Sequence, residues 1–126
     1  MSQATEELTS PCSASKAGNT TDKHLVEACG LFAECVTAFG RTVSAMDDLF
    51  PEEDVEELRA SARRLRAEWR SMAWSIIETP AHHQTGTEAK VEALSAYFVH
   101  VNPALECIGL DLARSLVADL KRAGNQ

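Results

Sequence analysis

Long apolar runs, an excess of basic charge, paired cysteines and glycine-rich loops are all missing from this chain, and each absence removes a class of function. No segment approaches the uninterrupted apolar length needed to cross a bilayer. Lys and Arg number 12 against 19 Asp and Glu, a net charge of -7, so the long-range field repels the phosphates of nucleic acids and anionic membranes. The four cysteines, Cys12, Cys29, Cys35 and Cys107, form no Cys-x-x-Cys pair and no cysteine–histidine spacing suited to zinc. Cys29 falls in an apolar line, while Cys35 and Cys107 border such lines, so they read as small core hydrophobes. Reduced thiols fit the cytoplasm, and the opening MSQATEELTS lacks a basic start followed by an apolar stretch. There is no phosphate-cradling loop, no nucleophile elbow and no paired Glu-x-x-His; His24 and Glu27 make a single reversed instance. The expectation is a cytoplasmic, non-enzymatic protein with no cofactor and no resident metal.

What the chain does have is three runs of core residues at steps of three and four. The first is Leu25, Cys29, Phe32, Val36, Phe39, Val43, Met46, Phe50. The second is Val55, Leu58, Ala62, Leu65, Trp69, Met72, Ile76, and the third is Val91, Leu94, Phe98, Val101, Leu105, Ile108, Leu112. Each spacing puts one apolar seam on a 3.6-residue helix, and each seam needs a partner to bury it. With 126 residues there is room for one domain. The pattern predicts an all-α fold, an antiparallel three-helix bundle over residues 21–126 behind a flexible tail at 1–20 that is rich in small polar residues.

Local signals set the expected boundaries. Thr21 or Asp22 offers an N-cap for helix one, which runs to about Met46 or Leu49. Pro51 suits the first turn of helix two, and the acids from Glu52 to Glu57 suit its dipole. That helix should end at Glu78, ahead of Thr79 and Pro80. Thr85 and Glu88 match a capping box opening helix three. Asn102 and Pro103 leave two readings, one long helix kinked at Pro103 or a split that gives four helices. The unbroken spacing through Pro103 favours the kink. Such a third helix would be about 54 Å long at 1.5 Å per residue, overhanging its neighbours.

Apolar residues off the seams ask for further cover. Trp74 and Ile77 sit together on helix two, and Leu110, Ala113 and Val117 form a second line further on. They define a candidate interaction surface for a homodimer or a partner helix. Arg59, Arg63, Arg66 and Arg70 recur along helix two as either a strip for an acidic partner or a solvated flank balanced by neighbouring acids. The acids from Asp47 to Glu57 read as a docking surface for a basic partner, as in a small protein inhibitor, or as helix-end electrostatics. His82 and His83, with His24 near them in an antiparallel bundle, are the candidate polar site for a metal or ligand sensor.

Two resemblances come from short motifs. Residues 81–86, with His82 and Gly86, resemble the phosphorylatable histidine segment of histidine phosphotransfer domains, although Thr85 stands where that family has a lysine. Over residues 69–120 the chain resembles small uncharacterised bacterial helical proteins: Thr79, Pro80 and Ala81, then Gly86 and Lys90, then a closing Ser115-Leu-x-x-Asp119. That resemblance implies a structural junction at 79–90 and supplies no activity. The functional expectation is a non-enzymatic helical interaction or regulatory protein that self-associates or binds a protein partner, without nucleic acid or membrane.

Overall fold

The computed structural model describes residues 16–48, 55–101 and 107–124, with side chains from residue 22 onward. The described residues form four helices and no strand: α1 (Lys16–Asp48), α2 (Val55–Glu78), α3 (Gln84–His100) and α4 (Ile108–Gly124). None of these helices is long and apolar enough to cross a membrane. α1 starts at Lys16, ahead of the expected cap, and α2 ends at Glu78 as its Thr79, Pro80 signal predicts. The residues around Pro51 lie outside those described, as do most of the expected tail and residues 102–106.

The three-helix bundle with a kinked third helix is corrected, and the alternative of four helices holds among the described residues. Val101 adopts extended angles of φ -118° and ψ 134°, and its N–H closes α3 by donating to the Tyr97 carbonyl at 2.8 Å. The next described helix is α4 from Ile108, and Pro103 itself lies outside the described residues. The apolar spacing misled because Val101 buries its side chain after the backbone has left the helix. Burial, and not helical geometry, carries the pattern across the break.

Contacts between elements fix the topology. α1 packs on α2 and α3, and α4 packs on α3 and α2. Cys35 reaching the Leu65 carbonyl and Asp22 reaching His82 make α1 and α2 antiparallel. Asp22 beside Gly86 and Gly40 beside His100 make α1 and α3 parallel. Lys90 beside Asp119 and Tyr97 beside Gly109 make α3 and α4 antiparallel. The connection from α2 to α3 therefore crosses one end of the bundle. At the core Trp69 is fully buried and meets Phe32, Phe39 and Tyr97 edge to face at centroid distances of 6.4, 5.7 and 5.6 Å, the arrangement that aromatic quadrupoles prefer.

The rotation of α3 differs from the expected seam. Its inward line is Gly86, Lys90, Ala93 and Tyr97, while Val91 and Phe98 lie about half exposed. A one-residue shift is possible because α3 carries apolar residues on every side, so hydrophobicity alone does not orient it. Two contacts do. Gly109 lets the Tyr97 ring approach so closely that a Cβ there would lie 2.6 Å from it, and Lys90 turns inward to an acid on α4.

Candidate functional site

The bundle end beneath the α2–α3 connection holds a polar network. Asp22, inside α1 and not at its N-cap, is buried, and its two carboxylate oxygens accept from the His82 N–H at 3.0 Å and the His83 N–H at 2.7 Å. His83 is the N-cap residue of α3 and its own side chain caps nothing, so the Thr85–Glu88 capping box gives way to a carboxylate supplied by another helix. Negative charge at this position also suits the α3 dipole. Gly86 makes room for it: a Cβ there would lie 2.5 Å from Asp22 Oδ2.

α4 holds the other side of the same connection. Lys90 Nζ lies 2.6 Å from Asp119 Oδ2, an ion-pair contact rather than a well-angled hydrogen bond, with both side chains almost wholly buried. Lys90 also donates to Ser115 Oγ at 2.8 Å, and Ser115 donates to the Ile77 carbonyl at 3.1 Å. The Ile77 carbonyl belongs to the last turn of α2, where intrahelical partners run out. Arg122 donates to Asp119 Oδ1 at 3.0 Å and to the Ala81 carbonyl at 3.2 Å. One helix thus binds the connection by its N–H groups and another by its carbonyls.

Burial pushes the Cys29 thiol up to about 11, with the Lys90 charge pulling the other way, and burial followed by the Glu68 charge and hydrogen bond raises Cys35. Both thiols stay protonated near neutral pH and are poor nucleophiles. A shallow cavity of about 240 Å³ is lined by His82, His83, Gln84, Leu120 and Arg122, but Arg122 is already committed to Asp119 and Ala81. His24, His82 and His83 are all exposed. Among the described residues no three His, Cys, Asp or Glu side chains gather closely enough to hold a metal ion.

The sequence-marked surface residues take different places. Trp74 is half exposed on α2, whereas Ile77 packs against the core. Leu110, Ala113 and Val117 line a nearly wholly apolar depression of about 410 Å³ along α4, with Arg114, Ala118 and Lys121. Arg59 pairs with Glu56 at 2.8 Å, Arg63 is exposed, and Arg66 and Arg70 have partners of their own. Asp47, Asp48, Glu56 and Glu57 are exposed at facing helix ends, and residues 49–54 between them lie outside those described.

Sequence reasoning missed the buried polar pair and the α3 contribution to the exposed apolar face. The available signal for the pair was opposite charge at core-spaced positions, Lys90 between Gly86 and Ala93 and Asp119 one heptad after Leu112. The face was hidden by the assumed rotation of α3, which sent Val91 and Phe98 inward. Ala81, Gly86, Lys90, Ser115 and Asp119 converge on the polar bundle end. Comparison of the chain with family models, curated proteins and solved structures gives no match.

Proposed function

We propose that this chain is a non-enzymatic interaction or regulatory protein that docks another helical surface on the outer face of α3 and α4. The observation that carries the reading is the gathering of Val91 and Phe98 from α3 with Leu110, Val117 and Leu120 from α4, all about half exposed, on two adjacent helices. Isolated apolar residues on a surface are ordinary, but a contiguous strip spanning two helices is the mark of an interface. The polar bundle end supports the same reading, because the buried Lys90–Asp119 pair holds α3 in the rotation that turns Val91 and Phe98 outward. The free thiols of Cys29, Cys35 and Cys107 suit a reducing compartment such as the cytoplasm.

The test is recovery of binding partners from the source cells with the tagged wild-type chain and with Leu110→Ser/Val117→Ser. Both positions are exposed, so helicity should be unchanged while the recovered protein, whether partner or second copy, falls by about tenfold or more. Equal recovery by both chains would reject this face as the docking surface.

A further inference from the structure

We infer that the occupant of this face is a second copy of the same chain, related by a two-fold axis that runs parallel to α3 and α4. The inference rests on the docking reading above and adds the partner and its register. Helical periodicity from the buried positions puts Val91, Phe98 and Ser95 on the outward side of α3, with Glu88, Glu92 and the exposed Val99 toward the edge remote from α4. The same reasoning puts Leu110, Ala113, Val117 and Leu120 outward on α4, with Arg114 and Lys121 toward the edge remote from α3. The face is therefore an apolar centre with an acidic rim on one side and a basic rim on the other.

A two-fold axis along the helices lays the α3 of each copy antiparallel over the α4 of the other and keeps every residue at its own level. Tyr97 lies level with Gly109, and Lys90 meets the Ser115–Asp119 turn. In that register Phe98 of one copy comes level with the Ile108–Leu110 turn of the other, and Val91 comes between Ala113 and Val117. Glu92 falls level with Arg114, and Glu88 falls within a turn of Lys121. The acidic edge of each copy thus meets the basic edge of the other, twice, as a self-complementary interface requires. A rotation that laid α3 on α3 would set acid against acid. Each 17-residue helix pair offers a face about 25 Å by 20 Å. Two such faces give a total near the roughly 1,000 Å² at which specific interfaces begin, so the dimer should be of moderate affinity.

Sedimentation equilibrium of the full chain over a micromolar to high-micromolar range tests this. The wild type should fit a monomer–dimer equilibrium. Val117→Glu should weaken association at least a hundredfold with unchanged circular dichroism, and Arg114→Glu about tenfold. Adding Glu92→Arg to Arg114→Glu should restore most of that loss, because these two residues stand on opposite edges within one copy and meet only across the axis. A wild type that stays monomeric throughout the range would overturn the inference while leaving the docking reading to its own partner-recovery test. Dimerisation indifferent to Val117→Glu, or a charge swap that fails to rescue, would overturn the proposed geometry.

Discussion

Lys90 and Asp119 meet at 2.6 Å in the interior of the bundle, and this contact fixes both the rotation of α3 and the register of α4. Removing Asp119 leaves the Lys90 charge buried without a counter-ion, removing Lys90 leaves Asp119 with Arg122 alone at 3.0 Å, and replacing both by apolar side chains removes two desolvation costs together.

Asp119→Leu alone should therefore destabilise the fold by about 3–5 kcal/mol, and Lys90→Met by less, because Asp119 keeps its Arg122 partner. The double variant Lys90→Met/Asp119→Leu should recover much of that loss, although Ser115 and Arg122 each lose a partner. Urea denaturation followed by circular dichroism measures all three, and a double variant as weak as the sum of the singles would contradict the account.

Asp22 and Gly86 form a second coupled pair. Asp22→Ala removes two charge-assisted bonds to the backbone of His82 and His83 and should cost about 2–3 kcal/mol. Gly86→Ala should also destabilise, since its Cβ would lie 2.5 Å from Asp22 Oδ2. With Asp22 already cut back, the same alanine meets less obstruction and gains helix propensity of up to about 1 kcal/mol. The double variant should thus lie above additivity, and simple additivity in denaturation would show that the carboxylate does not occupy the space beside residue 86.

The pH dependence follows from Cys29. Its folded-state value is raised from 9.0 to about 11, so above pH 9.0 the unfolded chain ionises while the folded thiol does not. The stabilisation contributed by the neutral buried thiol is complete below the unfolded value and is lost as pH rises toward the folded one. Wild-type stability should fall by up to about 2–3 kcal/mol across that interval relative to Cys29→Ala. Parallel pH profiles for the two proteins would contradict this.

The helical class was legible because periodicity on α1 and α2 coincides with burial: Leu25, Cys29, Phe32, Val36, Trp69 and Ile76 are all inside. α3 was legible as a helix and misread in rotation, since Val91, Leu94 and Phe98 form as good an apolar line as Gly86, Ala93 and Tyr97. The choice between them is made by shape and charge on α4, through Gly109 and Asp119, which lie far along the chain. The α3 cap was misread for the same reason. Thr85 and Glu88 satisfy the local rule, but Asp22 reaches the connection through the fold. Leu110, Ala113 and Val117 could be read as a surplus apolar line, whereas its extension to Val91 and Phe98 depends on the corrected rotation.

Site-specific photo-crosslinking in the source cells tests the central claim most directly. A photoreactive side chain at Val117 should give a discrete covalent adduct, either a partner or a dimer of the chain itself. The same group at Val26, an exposed apolar position on α1, should give none. Adducts at both positions alike, or at neither, would contradict the assignment of the outer face of α3 and α4 as the docking surface.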